Sequence, residues 1–144
     1  MATGIQVVVD CADPARQAEF WAAALGYVVQ PPPPGYETWE DAAAAMGIPE
    51  ERWGNASAVV DPDGAGPRIF FQKVPEGRTV KNRLHLDLNV SSGFAVPIEE
   101  RKDQVEEGVS RLTGLGATRV EAYEEYGQYH VVMRDPEGNE FCVQ

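Results

Sequence analysis

Residues 126–144, YGQYHVVMRDPEGNEFCVQ, contain the pattern that decides the fold. An alternating run leads into the tetrad DPEG at 135–138, and a second apolar run follows it. Proline at the second position of the tetrad and glycine at the fourth are typical of a type I turn. The stretch therefore predicts a β-hairpin.

The same hairpin pattern occurs earlier in the chain. ASAVV at 56–60 leads into DPDG at 61–64, and RIFFQ at 68–72 returns. With the elements before each hairpin, both halves follow the order strand, helix, strand, strand, strand, which indicates duplication of one unit. We expect an α+β fold of two tandem βαβββ modules that form a cleft or partial barrel.

The two modules define the expected domain organisation. The single domain, 1–144, contains a first module at 1–74 and a second at 84–144, joined by a charged connector at 75–83. An insertion at about 30–55 has no counterpart in the second half, and insertions of this kind often shape a ligand cavity.

Individual elements follow from local patterns. The apolar run at 5–10 predicts a strand inside a sheet, and LHLDLNV at 84–90 alternates strictly and predicts another strand. Asp13 and the proline after it predict the start of a helix. A short helix is expected at 42–46, and Val105 belongs to the apolar stripe of a longer one.

Composition excludes several classes of protein. The formal net charge of −11 and the lack of a concentrated basic patch argue against a nucleic-acid partner. No apolar run approaches the length of a membrane span, and no leader pattern is visible, so we expect a cytoplasmic protein without a membrane partner. Cys11 and Cys142 are expected to be reduced and largely buried.

Three segments carry a family resemblance. DPARQAEFWAAALGY at 13–27, LHLDLNV at 84–90 and RDPEGNEFCV at 134–143, set in paired βαβββ modules, resemble the vicinal oxygen chelate superfamily. That superfamily contains glyoxalase I, bleomycin-resistance proteins and extradiol dioxygenases, and the closer resemblance is to glyoxalase-like proteins. It implies a ligand site in the cleft between modules and a homodimer.

The resemblance also implies positions for a divalent metal. Members with metal chemistry place one ligand on the first strand and one on the last strand of each module. These positions fall on Gln6, near Phe71, on His85 and on Cys142, and a phenylalanine cannot ligate. Glu140 has the parity of Cys142 along its strand, so the metal set predicted here is Gln6, His85 and Glu140.

Aromatic and polar residues complete the predicted site. Tyr36, Trp39 and Trp53 flank the insertion, where no apolar stripe of a helix includes them, and suit contact with a planar ligand. The full predicted ligand-binding set is Gln6, Tyr36, Trp39, Trp53, Phe71, His85, Asp87, Tyr126, Tyr129 and Cys142. His85 and His130 are the candidate catalytic residues.

Three functions remain open at this point. The first is binding of a small organic molecule, aromatic or planar, for sequestration or resistance, with a degenerate metal site and no cofactor. The second is a lyase, isomerase or dioxygenase that depends on Zn, Ni, Mn or Fe. The third is metal-free catalysis with a histidine as acid or base and Asp87 as its partner.

Overall fold

The first unit of the chain is Met1–Gly77. Its strands coincide with segments rich in β-branched and aromatic residues, which favour strands. The computed structural model describes residues 1–144. In chain order the elements of this unit are β1 (Val7–Cys11), α1 (Pro14–Leu25), β2 (Val28–Val29), α2 (Trp39–Ala45), a 3₁₀ helix (Glu50–Asn55), β3 (Ala56–Val60) and β4 (Ile69–Lys73). The strands form one sheet in the order β1-β4-β3-β2, in which β1 is parallel to β4.

The second unit, Arg78–Gln144, repeats this plan. In chain order its elements are β5 (Asp87–Leu88), a 3₁₀ helix (Gly93–Ala95), α3 (Ile98–Gly114), β6 (Thr118–Glu125), β7 (Gln128–Arg134) and β8 (Glu140–Val143). The sheet order is β5-β8-β7-β6, with β5 parallel to β8. The predicted α+β fold of two βαβββ modules is therefore confirmed, and the units divide within the stretch 75–83.

Helix α1 has the ends that its sequence predicts. The Asp13 carboxylate accepts a hydrogen bond from the Arg16 backbone N–H at 3.1 Å, and Pro14 is the first helical residue. Gly26 ends the helix with a left-handed φ of 71°, a conformation that costs glycine little. Trp21 is buried, as an amphipathic helix packed on a sheet requires.

Helix α3 covers one face of the second sheet. Val105, Val109 and Leu112 are buried along it, as predicted. Alternate residues of β7 and β8, including Val131 and Phe141, are buried too. Because side chains alternate across a strand, the residues between these buried ones lie on the opposite face of the sheet.

The closing hairpin turns on a buried aspartate. Asp135 Oδ1 accepts backbone hydrogen bonds from Glu137 at 2.9 Å and Asn139 at 3.0 Å, and the Gly138 N–H donates to the Asp135 carbonyl at 2.9 Å. Asp61 supports the first hairpin in the same way, accepting from the backbone N–H groups of its own turn. Both predicted hairpins are confirmed.

Two strand predictions need correction. Strand β1 pairs only with β4, so it lies at the end of its sheet order rather than inside it, and Val8 is 50% exposed. The stretch 84–90 yields only the two-residue strand β5, and Leu84 is 76% exposed. The reason is the partner: β5 pairs only with β8, and only Cys142 and Val143 of β8 lie opposite it in register.

The insertion also differs in detail from its prediction. Helix α2 begins at Trp39, three residues before the expected start, because the Thr38 hydroxyl caps it by accepting the Asp41 backbone N–H at 3.1 Å. Trp39 is therefore the first residue of the helix, whereas the sequence placed it beside the helix.

The cysteines are both free thiols. Cys11 is buried, as expected, and its thiol donates to the Gln72 carbonyl with a sulfur–oxygen distance of 3.6 Å. Cys142 is only partly buried, because Phe141 and Val143 occupy the core face of β8 and direct Cys142 to the other face. None of the helices has the length and apolar character to cross a bilayer.

Candidate functional site

Three potential metal ligands meet on the polar face of the second sheet. His85 Nε2 lies 3.3 Å from Asp87 Oδ1, and Cys142 is paired in register with Asp87 across β5 and β8. One donor atom from each of the three lies within 4.8 Å of the others. The first contact joins side chains two residues apart in the chain, His85 just before β5 and Asp87 at its first position.

The donor set is of the zinc type. Ligand atoms bound about 2.0–2.1 Å from a tetrahedral zinc ion are roughly 3.3 Å apart, which matches the distance between His85 and Asp87. Imidazole, carboxylate and thiolate together leave a fourth position open, as in a catalytic zinc site. A thiolate suits Mn²⁺ or Mg²⁺ less well than oxygen ligands do.

The surroundings of the Cys142 thiol favour its protonated form. Burial raises its pKa, and the neighbouring charge of Asp87 raises that pKa further. A nucleophilic cysteine needs the opposite environment. The position therefore suits a ligand whose proton is displaced by a cation better than it suits a nucleophile.

Glu140, from the predicted metal set, is engaged by cations of the protein itself. Its carboxylate forms ion pairs with Arg78 and, at 3.0 Å, with Lys81. A hydrogen bond from Lys81 is the main reason that the pKa of Glu140 is lowered. Asp87, rather than Glu140, stands with His85 and Cys142, and neither composition nor motif had singled it out as a metal ligand.

His130 occupies the same sheet as these ligands. Its ring stacks on Tyr123, with centroids 5.3 Å apart and an interplanar angle of 17°. The Tyr123 hydroxyl donates to Glu121 at 2.9 Å, and this bond is the main reason that its pKa is raised. His130 is not part of the potential metal-ligand group.

The two tyrosines predicted for the site differ in their surroundings. Tyr126 lies in the turn between β6 and β7 with φ 53°, and its side chain is 98% exposed. Tyr129 donates a hydrogen bond to Glu106, which also pairs with Arg119, and burial raises the tyrosine pKa. Tyr129 lines a polar cavity of ≈ 330 Å³ that Arg101 also borders.

A second cavity, of ≈ 420 Å³, lies within the first unit and is mostly apolar. Trp39, Trp53 and Phe70 line it. The Trp39 indole N–H donates to the Gln30 carbonyl at 2.8 Å, and the Trp53 indole N–H donates to the Ile48 carbonyl at 2.9 Å. Each indole is therefore oriented by a hydrogen bond.

Arg68 also lines this cavity, and it holds the side chain of Gln6 by a hydrogen bond. The guanidinium donates from Nη1 to Gln6 Oε1 and from Nε to Gln30 Oε1, both at 2.8 Å. It lies 5.2 Å from the centroid of the Phe70 ring. The Gln6 amide oxygen, predicted to ligate a metal, is thus bound to a cation of its own unit.

Two predicted contacts fall outside the cavity. Phe71 is fully buried in the core, whereas Phe70, one residue earlier and so on the opposite face, lines the cavity. Tyr36 is exposed and is not a lining residue. Sequence reasoning missed Phe70 and Arg68, although the shared parity of 68 and 70 along one strand is a signal that places them together.

Solved structures with the same fold cover nearly the whole chain. A glyoxalase/bleomycin resistance protein/dioxygenase family enzyme from Burkholderia phytofirmans is 18% identical, with a TM-score of 0.62 over 96% of this chain and 94% of that one. The fosfomycin resistance protein FosX from Listeria monocytogenes, solved with Mn(II) and dihydroxypropylphosphonic acid, is 12% identical, with a TM-score of 0.62 over 100% and 90%. The oxidase ChaP-H2 is 18% identical, with a TM-score of 0.57 over 99% and 91%.

These likenesses establish the fold alone, because the identities are low. No curated protein matches the sequence significantly. The family model for the glyoxalase-like domain matches residues 6–144. With two βαβββ units of one topology and a family match over almost its whole length, the chain belongs to the glyoxalase-like family of the vicinal oxygen chelate superfamily.

Proposed function

We propose that the protein binds a small planar aromatic molecule in the cavity of its first unit and sequesters it. The observation that carries this proposal is the convergence of two tryptophans and Phe70 on one cavity of ≈ 420 Å³. That volume lies in the range of pockets that hold small organic ligands. Aromatic rings provide large contact areas for a planar partner.

The exposure of Trp39 favours binding over a purely structural role. A tryptophan that only anchors the insertion would bury its ring, whereas Trp39 is 42% exposed while its N–H is held at the Gln30 carbonyl. An oriented but exposed ring is available to a ligand without further ordering. The cavity lining includes no histidine or cysteine, the side chains that serve most often as general base and as strong nucleophile.

Tryptophan fluorescence tests this proposal directly. The chain has three tryptophans, and Trp21 is buried in the core. A panel of fused-ring aromatic compounds should quench the emission of the wild-type protein in a saturable way. In the double variant W39F/W53F, which retains Trp21, the same compounds should leave the emission unchanged. Circular dichroism checks that the variant folds, and absence of saturable quenching in the wild type would refute the proposal.

A second candidate function is supported by the contact between His85 and Asp87 beside Cys142. We infer that these three side chains would hold a divalent ion of the zinc type, and a bound ion would supply Lewis-acid polarisation of a substrate oxygen. The chain's own contribution would be to fix three donors and leave the fourth position open.

Metal content distinguishes this candidate from simple ligand binding. Protein purified without chelator should contain close to one equivalent of a divalent metal, and C142S should lose most of it. Less than about a tenth of an equivalent, with no thermal stabilisation by added Zn²⁺, would eliminate the metal function. Without a metal, His85 beside Asp87 would be placed to act as a general base. The variant H85A tests that role in any turnover assay.

A further inference from the structure

We infer that the ligand of the first-unit cavity is an aromatic carboxylate whose acid group binds Arg68. This inference rests on the proposed binding function and specifies the chemistry of the ligand. Arg68 immediately precedes β4 and lines the cavity together with Phe70 and the two tryptophans. A single ligand in this cavity would therefore contact both an aromatic surface and a guanidinium.

The charge of Arg68 is not neutralised within the protein. Its two hydrogen-bond acceptors, Gln6 Oε1 and Gln30 Oε1, are neutral amide oxygens. No carboxylate forms a salt bridge with it, although five other cationic side chains do pair with carboxylates: Arg78, Lys81, Lys102, Arg119 and Arg134. An arginine retained beside an apolar cavity without an anionic partner is suited to an anion from outside.

The two amides also orient the guanidinium. They accept from Nε and Nη1, while Phe70 lies 5.2 Å from the guanidinium carbon. A guanidinium has five N–H donors in a fixed plane, so the donors of Nη2 and one of Nη1 remain for a ligand. Because that arrangement is planar, it matches the two oxygens of a carboxylate.

The local charge of the cavity differs from that of the whole chain. Its charged lining residues are Arg52, Arg68 and Glu40, whereas the chain carries a formal net charge of −11. Two cationic side chains and one carboxylate thus line the cavity of an otherwise acidic chain. In a protein of this composition, local hydrogen bonds rather than the long-range field must retain an anion.

Matched ligands test the inference without changing the protein. We would titrate 2-naphthoate, its neutral isostere 2-naphthamide and 2-naphthyl phosphate, following tryptophan quenching and calorimetry. The wild type should bind 2-naphthoate about 10- to 100-fold more tightly than the amide, as a charge-assisted hydrogen bond predicts. Equal affinities would overturn the inference and leave the binding proposal standing, whereas no binding of any compound would remove both.

The phosphate ester identifies the anion class. Preference for 2-naphthyl phosphate over 2-naphthoate would overturn the assignment of a carboxylate. A preference for 2-naphthoate supports it, because the flat fork of the guanidinium and the flat acid group then share one plane.

Variants locate the effect. R68Q should lose about 10- to 100-fold in affinity for 2-naphthoate and retain its affinity for the amide. R68K, which keeps the charge but not the fork, should lie between the two. R83Q removes an exposed arginine outside the cavity and is the matched control. If R68Q and R83Q bind 2-naphthoate equally well, Arg68 is not the anion site; thermal melts show whether each variant folds.

Discussion

The indole N–H of Trp39 donates to the backbone carbonyl of Gln30 at 2.8 Å, while the side chain of the same Gln30 accepts from Arg68 at 2.8 Å. Gln30 follows β2, and Trp39 opens α2. One residue thus orients the aromatic and the cationic parts of the cavity through different atoms. Substituting its side chain separates the two functions.

Replacement of Gln30 by alanine should weaken acid binding and leave aromatic contact intact. The backbone bond to Trp39 survives, but Arg68 loses one orienting acceptor. Because the ligand must then order the guanidinium itself, affinity for 2-naphthoate should fall about 3- to 10-fold. Affinity for 2-naphthamide should stay the same. Q30E supplies an internal anion to Arg68 and should reduce 2-naphthoate binding further; a Q30E protein that binds the acid like the wild type would contradict this account.

Zinc should stabilise the second unit through His85, Asp87 and Cys142. Saturating Zn²⁺ at about 100 times its dissociation constant adds roughly 2.7 kcal/mol to the free energy of unfolding, and differential scanning fluorimetry would show it as a rise in Tm. H85A and D87N should abolish that rise. E140Q is the informative comparison: retained stabilisation would agree with the observed cluster, and its loss would favour the set predicted from sequence, Gln6, His85 and Glu140.

Acid should weaken the ion pair between Glu106 and Arg119. The hydrogen bond from Arg119 lowers the pKa of Glu106 below its ordinary value of 4.5, and the bond from Tyr129 contributes further. A lowered carboxyl pKa stabilises the fold fully above the ordinary value and loses that effect as pH falls through the lowered one. E106Q should therefore lower Tm by about 2–4 °C at pH 7, a small effect because the pair is partly exposed.

The decisive comparison for Glu106 is the difference between wild type and E106Q at acid pH. That difference should shrink steadily as the pH falls below 4.5 and should vanish below the lowered pKa of Glu106, where both folded proteins carry a neutral side chain at 106. Thermal melts at a series of pH values measure it. A constant difference from pH 7 to pH 3 would show that packing, rather than charge, is what the variant removes.

The two turn aspartates should differ in their contribution to stability. Asp135 is buried and caps the closing hairpin, whereas Asp61 is only partly buried in the first one. Loss of a buried acceptor leaves its donors unsatisfied, so D135A should cost about 2–3 kcal/mol. D61A should cost clearly less, because water can satisfy the donors of its turn. Urea unfolding of both variants measures the difference; equal costs would mean that burial of Asp135 does not matter.

Most of the helices, strands and turns could be predicted from sequence because the residues that begin and end them are close neighbours in the chain. The cap at Asp13, the left-handed Gly26 and the two aspartate-proline turns each depend on neighbours within a few residues. The stretch 84–90 was overestimated as a strand, since its length depends on β8, a partner 50 or more residues away in sequence. Propensity does not contain that information.

The candidate sites divide in the same way. Trp39 and Trp53 could be selected from sequence because aromatic residues in an insertion are visible there, and the parity of Glu140 with Cys142 was also readable. The cluster of His85, Asp87 and Cys142 could not, because it requires the parallel register that sets Asp87 opposite Cys142. The engagement of Glu140 by Lys81 likewise depends on a contact between distant residues.

The sequence by itself determined the duplicated βαβββ plan and the family. Turn and cap patterns act over short distances, so they can be recognised without knowing the fold. Only the tertiary structure decided which side of β4 faces the cavity, placing Phe70 and Arg68 there and Phe71 in the core. The physical reason is that alternation assigns residues to two faces but does not say which face a helix covers. That choice is made by packing: α1 packs against β3 and β4, and Phe70 is left to line the cavity.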